Sequence, residues 1–373
     1  MNGHNFAKVA VVVVCLAMVS PTFAQTKDII HHTFEKGGDG WTGFGPTAKI
    51  STSQDAADVK VGKSSLKFDY SVKKGQFDVL AFQLPADSIT KAKSFNFWIK
   101  PDSSGAIALS LQEKDGGRYI AMFAVTANKW QQVSVATPDF ILSAEPNDPK
   151  DADGKLDLDE VENISLIDLM QIFAQGADPN VEKMFSVKQG PHQLLLNDFT
   201  VSETPVPGSE IKPGVIEDYT RPQLQWFGIG TMSIAPTSAK PLDGPGIKVS
   251  YKQENEKIIG LIRRVPAGVL KGSESVSFTA AADRKVFLMF QLEQKGGGKF
   301  NMTMEVPGDQ TLRTYTIKFK ELNLAGDSKD PNAELNLGDV TQVVLVDAAG
   351  ISGQGMGDTN LYVGKITAKA VPK

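Results

Sequence analysis

Cysteine is nearly absent from this sequence: the single cysteine among 373 residues is Cys15, inside an N-terminal apolar run. The chain that follows this run can therefore form no disulfide and use no thiol chemistry. Its stability must come from core burial or from a bound metal ion. Four valines precede Cys15, whereas lipoprotein attachment requires small residues at those positions, so we reject that modification.

Clusters of basic residues are also missing. Lys and Arg together number 39 against 43 Asp and Glu, the net charge is −4, and the basic residues are scattered along the chain. Proteins that follow a phosphate backbone carry a concentrated basic stripe. We therefore exclude nucleic acid as a partner.

Long apolar runs are confined to the N-terminus, where "VAVVVVCLAMV" follows Lys8 and is too short to span a bilayer. Thr22 and Ala24 are the small residues that a signal peptidase requires at the third and first positions before its cut. We predict a signal peptide over residues 1–24, cleaved before Gln25, with an uncleaved anchor as the alternative. No second apolar run reaches 18 residues, so we expect a secreted or periplasmic protein that is not inserted in a membrane.

Signatures of catalysis are lacking too. After the signal peptide the histidines are His31, His32 and His192, and the sequence contains no HExxH motif, no Ser/His/Asp order and no Gly-rich loop between a strand and a helix. A glycosidase needs two carboxylates across a cleft, and no such pair stands out. We expect no enzyme.

The sequence does contain an internal repeat. "SLKFDYSV" (65–72) recurs as "GIKVSYKQ" (246–253), and "LQEKDGGRY" (111–119) recurs as "LEQKGGGKF" (292–300), both at an offset of 181. "KLDLDEVENISLID" (155–168) matches "ELNLGDVTQVVLVD" (334–347) at an offset of 179, and "LLLNDFTV" matches "LYVGKITA" at 167. The order of these blocks predicts two copies of one domain, over 25–203 and 214–373. A linker over 204–213, rich in proline and glycine, joins them.

Both copies show the alternation of half-buried strands. Leu66, Phe68, Tyr70 and Val72 alternate with polar residues, and turn clusters such as "EKDGGR" separate consecutive strands. This pattern predicts an all-β fold of two tandem antiparallel β-sandwiches of the jelly-roll type. The stretch 162–175 has helical features, but its match in the second copy looks extended, so we interpret it as a strand leading into a loop.

An ordered set of short motifs resembles a known family. These are "FE…GDGW" with Phe34, Glu35 and Trp41, then "GKSSLKFDY", "FNFWIKPD", "GKLDLDEV" and a closing "LLLNDFTV". The set resembles galactose-binding-like sandwiches, especially carbohydrate-binding modules of family 11 and complex-I-intermediate-associated-protein-30 domains. The resemblance implies a jelly roll whose concave sheet holds a carbohydrate, although a shared fold does not establish function.

Two calcium sites are candidates in the first copy. In "NDPKDADGKLDLDE" (147–160), Asp151, Asp153, Asp157 and Glu160 stand at calcium-loop spacing around Gly154, although Pro149 occupies the first position and Asp148 precedes it. A solvated acidic loop is the alternative. The family resemblance implies a second, structural calcium held by Glu35 and Asp198, and the alternative there is two ordinary surface acids.

The ligand site is predicted from strand phase. Trp98 shares the polar phase of its strand, where an aromatic ring is out of place unless it is covered or binds something. Sugar recognition needs such a ring together with planar polar groups. We predict one groove on the concave sheet of the first domain, formed by seven residues: Lys67, Asp69, Gln83, Trp98, Gln112, Arg118 and Tyr119.

The second copy differs at these positions. Thr279 replaces Trp98, Ser250 replaces Asp69 and Arg264 replaces Gln83. Lys365 stands where Asp198 stood, and we predict that it pairs with Glu217, the counterpart of Glu35. The second domain is therefore expected to support the first or to bind something different.

The leading hypothesis is an exported, non-catalytic polysaccharide-binding or oligosaccharide-binding protein. A structural or interaction protein of the cell envelope with a protein partner is the second hypothesis. A jelly-roll enzyme acting on polysaccharide is the third.

Overall fold

The computed structural model describes residues 27–143, 151–176, 185, 187–221, 223–266, 268–329, 334–353 and 355–370. The predicted signal peptide over 1–24 and the start of the predicted calcium loop, with Asp148 and Pro149, lie outside the described residues. No helix in this part of the chain is long and apolar enough to cross a membrane.

The first half of the chain forms two antiparallel sheets. Sheet A has the order β3-β4-β12-β6-β9, with β1 paired to β12, and sheet B has the order β10-β8-β7-β11-β5-β2. The strands are β1 (Asp28–His32), β2 (Trp41–Phe44), β3 (Lys49–Ser53), β4 (Ser65–Val72), β5 (Val79–Gln83), β6 (Ser94–Pro101), β7 (Gly105–Glu113), β8 (Arg118–Val125), β9 (Gln131–Ala136), β10 (Ile141–Leu142), β11 (Val161–Asp168) and β12 (Gly190–Ser202).

The second half repeats this arrangement. Sheet C has the order β15-β16-β24-β18-β21, with β13 paired to β24, and sheet D has the order β14-β17-β23-β19-β20-β22. The strands are β13 (Val215–Glu217), β14 (Trp226–Ile229), β15 (Met232–Thr237), β16 (Gly246–Gln253), β17 (Ile259–Arg264), β18 (Ser273–Ala282), β19 (Val286–Gln294), β20 (Lys299–Val306), β21 (Arg313–Lys318), β22 (Asn323–Leu324), β23 (Val340–Asp347) and β24 (Gly357–Ala370).

Each pair of sheets encloses its own apolar core, which the period-two pattern explains. In β4, four alternate residues are buried: Leu66, Phe68, Tyr70 and Val72. The three polar residues that alternate with them, Lys67, Asp69 and Ser71, are half-exposed. One core joins sheets A and B and a second core joins sheets C and D. The all-β fold of two tandem sandwiches is thus confirmed.

A short helix corrects one prediction. The stretch 162–175 forms β11 up to Asp168, but helix α1 (Leu169–Gln175) follows instead of a loop. The Asp168 side chain accepts a hydrogen bond from the Met170 amide at 2.9 Å, which caps the helix N-terminus. Ala174 is buried on the face that meets the core. The corresponding helix α2 (Ala349–Ser352) follows β23 in the second half.

The two sandwiches meet along a third apolar cluster, which we call the apolar seam. It contains Met122 and Ala124 on the outer face of sheet B, and it joins them to side chains of sheet D and of two loops: Phe227, Ile229, Ile262, Met289, Val344, Val346, Phe185 and Ile258. Beside the seam, the buried side chains of Arg221 and Asp139 form an ion pair between the two halves. The Ser134 amide also donates to Gln223 Oε1 at 2.9 Å.

Candidate functional site

The predicted single groove is wrong, because its members lie on two different sheets. Lys67, Asp69 and Trp98 belong to β4 and β6 in sheet A, whereas Gln83, Gln112 and Arg118 belong to β5, β7 and β8 in sheet B. The outer faces of the two sheets in a sandwich point in opposite directions. Strand phase identifies the outward residues correctly but does not show which sheet each strand joins.

Tyr119 does not lie on an outward face at all. Its side chain is 2% exposed in the core of the first sandwich, one residue out of phase with Arg118. Its hydroxyl donates to an Asp151 carboxylate oxygen. Burial is the main cause that raises the pKa of Tyr119 above its usual value.

Gln83, Gln112 and Arg118 do come together, with Asn163 as a fourth member. Asn163 is paired with Gln83 on one side and with Gln112 on the other, and Gln112 is paired with Arg118. We call this line of four side chains across β5, β11, β7 and β8 the polar row. Gln83 is exposed and the other three are half-exposed.

Hydrogen bonds hold two members of the polar row in place. Arg118 Nε donates to Gln112 Oε1 at 3.1 Å. Gln112 Nε2 donates to the carbonyls of Gly116 and Gly117, each at 3.1 Å, in the hairpin between β7 and β8. The next residues along the outer face are small and buried, since Ser110 is 1% exposed and Ser165 is 9% exposed. These two serines therefore offer almost no accessible surface beside the row.

Sequence reasoning missed Asn163. The available signal was the repeat itself, because the offset of 179 aligns Asn163 with Gln342, and both side chains are carboxamides. The second domain builds the same line from Arg264, Gln342, Glu293 and Lys299. Gln342 donates to Glu293, and Lys299 pairs at 2.6 Å with Asp327 outside the line, so Glu293 and Lys299 already have partners.

Trp98 lines a groove on the opposite sheet. The strand neighbours of Trp98 are Asn197 and Gln132. We define the Trp98 groove by His31, Asn96, Trp98, Gln132, Ser134, Asp198 and Thr200, together with residues 204–207 after β12. Lys60 Nζ lies 4.6 Å from the centre of the Trp98 ring and covers part of it.

Lys67 and Asp69 stand farther along the same face of sheet A and contact each other. Lys67 Nζ lies 3.8 Å from Asp69 Oδ1, and Gln193 Nε2 also donates to Asp69 Oδ1 at 3.2 Å. In the second domain, Ser250, the counterpart of Asp69, donates to Asn360 Oδ1 at 2.7 Å. Neither Lys67 nor Asp69 lines the Trp98 groove.

Glu35 and Asp198 have separate partners. Asp198 Oδ1 accepts from His31 Nε2 at 2.6 Å, and Glu35 Oε1 accepts from the Lys63 amide at 2.5 Å. The loop over 60–64 is also held by Asn197, whose side chain accepts from the Val61 amide at 2.6 Å and donates to the Ser64 carbonyl at 2.8 Å. Both carboxylates are thus hydrogen-bonded within the protein, and calcium at Glu35 and Asp198 stays a prediction.

In the second domain the predicted Glu217–Lys365 pair is wrong. Arg263 Nε donates to Glu217 Oε2 at 3.0 Å, and both side chains are nearly buried. Lys365 is exposed on β24. The partner of Glu217 comes from β17, a strand that sequence matching alone did not bring near β13.

The acidic loop is held by contacts with the hairpin before it. Asp157 donates its backbone amide to Glu113 Oε1 at 2.6 Å, Asp153 pairs with Lys155 at 3.0 Å, and Glu160 lies 3.7 Å from Lys114. Among the described residues, Glu113, Asp115 and Asp151 are the carboxylates close enough to share one cation. Burial is the main cause that raises the pKa of Glu113 to about 7. Calcium binding in this loop also stays a prediction.

Comparisons with known proteins were made for the whole chain. Residues 19–175 match the family model "Carbohydrate binding domain (family 11)", which covers less than half of the chain. A search of curated proteins found no match.

Two solved structures illustrate the structural similarity. One is the family 11 carbohydrate-binding module from Clostridium thermocellum in complex with a β-1,3-1,4-mixed-linked tetrasaccharide (17% identity, 44% of this chain, 99% of that chain, TM-score 0.35). The other is the N-terminal tandem CBM22 domain of Paenibacillus barcinonensis Xyn10C (13% identity, 93% of this chain, 98% of that chain, TM-score 0.29). The resemblance to family 11 carbohydrate-binding modules is therefore confirmed for residues 19–175, the segment that carries most of the first sandwich.

Proposed function

We propose that this protein is exported and binds polysaccharide without cleaving it, through the outer face of sheet B in its first domain. The polar row is the observation that carries the proposal. It places two side-chain amides and one carboxamide–guanidinium pair on four neighbouring strands. The match of residues 19–175 to a carbohydrate-binding domain supports the same ligand class.

The chemistry of the row suits sugar hydroxyls. Amide and guanidinium groups are planar and present donors and acceptors at fixed spacing, so they can bind vicinal hydroxyl groups in pairs. Neighbouring strands lie about 4.8 Å apart, so the row spans about 14 Å, which is longer than one sugar ring. A polymer segment lying across the strands fits this dimension better than a monosaccharide.

The second domain leaves the row accessible. Its apolar contact with sheet B is at Met122 and Ala124, and Met122 is four residues from Arg118 along β8, with Ile120 between them lining the pocket beside the seam. Four residues of a strand correspond to about 13 Å. The seam and the row therefore occupy different ends of one face.

Binding without catalysis is supported by the match of residues 19–175 to a carbohydrate-binding domain. Among the described residues, the three clustered carboxylates Glu113, Asp115 and Asp151 sit at the hairpin and its neighbouring loop. Two of them are fixed there by Asp157 and Tyr119. A glycosidase instead requires an acid and a base on the two sides of the scissile bond.

Affinity electrophoresis of the chain in gels that contain mixed-linkage β-glucan or xylan tests the proposal. We expect the wild-type protein to be retarded, and Asn163→Ala to weaken binding about tenfold through the loss of one or two hydrogen bonds. Lys67→Ala, on the opposite sheet, is the control, and its retardation relative to a gel without polysaccharide should equal that of the wild type. Unchanged retardation of Asn163→Ala and of Gln83→Ala would rule out the polar row as the site.

Export is tested separately. Expression of the full chain in a Gram-negative host, followed by N-terminal sequencing of the protein from the periplasm and the medium, should yield a chain that starts at Gln25. Recovery of the uncut chain in the membrane fraction would instead favour the anchor.

A further inference from the structure

We propose that the Trp98 groove is a second saccharide site, on the face of the first domain opposite to the polar row. The inference rests on the proposed function only for the class of ligand. Its geometry is independent, because the groove is built from sheet A and from the segment that follows β12, and it contains no member of the polar row.

A β-bulge in β12 shapes the groove. The pairing of β12 with β6 shifts register between Asn197 and Thr200, and Asp198 takes a left-handed backbone conformation with φ of 54°. A bulge of this kind redirects a side chain and is common next to functional sites. Here Asp198 lies among the groove residues beside Trp98, and its carboxylate is bonded to His31.

The Trp98 ring is held in position before any ligand arrives. Asn197 fixes the backbone of Lys60 and Val61 through its side-chain oxygen, at 3.1 and 2.6 Å. That anchor places the Lys60 ammonium 4.6 Å from the ring centre, where a cation–π contact stabilises one orientation. The ring is still half-exposed and forms part of the groove wall. An ordered aromatic ring with an open side is suited to stacking on the apolar face of a pyranose.

The polar groups around the ring are mostly neutral. Asn96 and Thr200 are paired across β6 and β12, and Asn96 and Ser134 are paired across β6 and β9. Gln132 is exposed beside Trp98. Of the groove's ionisable groups, His31 and Asp198 are already joined at 2.6 Å, and the exposed carboxylate of Asp28 adds a negative charge. These features favour a neutral, hydroxyl-rich ligand over an anionic one.

The size of the groove also fits. Its volume is about 390 Å³, within the usual range of about 300–1,000 Å³ for ligand pockets. Two pockets lie at the apolar seam. One offers about 60 Å³, and its arginines Arg221 and Arg263 already pair with Asp139 and Glu217. The other offers about 410 Å³ and is lined by the seam residues Ala124, Phe185 and Phe227. Both therefore lie where the domains pack together, whereas the Trp98 groove lies on one domain.

The second domain supplies a natural comparison. By strand pairing, Thr279 and Thr314 occupy the places of Trp98 and Gln132. No aromatic ring stands at these two positions. The site is thus specific to the first domain, and the domain carries two saccharide-binding faces that point in opposite directions. Such a module can hold two polymer chains at once and raise overall binding by avidity.

Isothermal titration of the full chain with the mixed-linkage β-1,3-1,4 tetrasaccharide tests the inference. We expect two sites in the wild type and one in Trp98→Ala, with about a tenfold loss of affinity at the altered site. Gln132→Ala removes only an exposed side chain, so it gives the same direction of change even if Trp98→Ala does not fold. Thr314→Ala, its match in the second domain, is the control and should keep both sites.

The outcomes separate the two proposals. If Asn163→Ala retains the Trp98-dependent site and Trp98→Ala retains the Asn163-dependent site, both stand. If Asn163→Ala abolishes binding while Trp98→Ala and Gln132→Ala bind like the wild type, the second site is refuted and the proposed function stands. If only the Trp98-groove variants lose binding, the groove stands and the polar row is refuted. If the wild-type chain does not bind, both are refuted.

Discussion

At the scale of single residues, the repeat shows which charges the fold itself requires. Glu113 and Gln294 occupy matching positions at the ends of β7 and β19. Glu113 accepts a hydrogen bond from the Asp157 amide at 2.6 Å, in the loop before β11. Gln294 accepts one from the Asn336 amide at 2.9 Å, in the loop before β23. The neutral glutamine thus anchors its loop without a charge. In the first domain the carboxylate is buried near two other acids, and its pKa is raised to about 7. The charge of Glu113 is therefore not needed for the anchor.

Glu113→Gln should remove a pH dependence. Because the folded state raises the pKa above the usual 4.5, this group contributes stability below about pH 4.5 and loses that contribution as the pH rises to 7. In EDTA we expect Glu113→Gln to melt about 2–4 °C above the wild type at pH 8 and close to it at pH 4. Gln294→Glu is the reciprocal variant and should melt lower at pH 8. A lower melting temperature of Glu113→Gln at pH 8 would contradict this account.

At the scale of elements, one strand in each domain ends at an aspartate that accepts a hydrogen bond from a tyrosine. Tyr70 donates to Asp168 at 2.8 Å, and Tyr251 donates to Asp347 at 2.9 Å. Asp168 also caps the short helix that follows it, and Asp347 accepts from the Ala349 amide at 3.0 Å. The second domain adds Arg284, which pairs with Asp347 at 2.6 Å. In the first domain, burial is the main cause that raises the pKa of Asp168.

Arg284→Met should therefore destabilise the second domain strongly. It leaves the buried Asp347 carboxylate without its cation, which costs about 3 kcal/mol in unfolding free energy. Arg313→Met, which breaks an exposed pair with Asp309, is the matched control and should cost less than about 0.5 kcal/mol. Adding Asp347→Asn to Arg284→Met should restore part of the loss. Urea denaturation measures all three, and equal effects of the two arginine variants would disprove the explanation.

At the scale of the whole molecule, the seam turns two sandwiches into one body. Apolar side chains of β8 and of sheet D pack against each other between the domains, and the Arg221–Asp139 pair lies beside them. Domains that share only a polar contact move independently by default, whereas an apolar contact restrains them. The relative positions of the polar row and the Trp98 groove to the second domain are therefore expected to be constant in solution.

Met122→Lys should release this restraint. The ammonium replaces an apolar side chain that packs on the seam and must give up part of its hydration there, so the domains separate while each keeps its own core. Small-angle scattering is expected to show a larger radius of gyration, and calorimetry two transitions in place of one. Met122→Leu, which keeps the apolar volume, should behave like the wild type. An unchanged scattering curve for Met122→Lys would show that the seam does not hold the domains together.

The amino-acid sequence determined the features that depend on neighbours along the chain. The alternation in β4, the hairpin turns and the matching blocks of the repeat are local patterns, and they were sufficient for the all-β fold and the two-domain organisation. Outward phase was likewise local, which is why Gln83, Gln112 and Trp98 were correctly expected to face away from a core.

Only the tertiary structure determined which of those outward residues lie on the same sheet. β11 pairs between β5 and β7, and β12 pairs between β4 and β6, so distant segments choose the sheet to which each outward residue belongs. This non-local pairing placed Asn163 beside Gln83 and Gln112. It also placed Trp98 on the opposite face, and it paired Glu217 with Arg263 instead of Lys365. Contacts between strands far apart in sequence leave no periodic trace in either strand, and for that reason they could be read only from the folded chain.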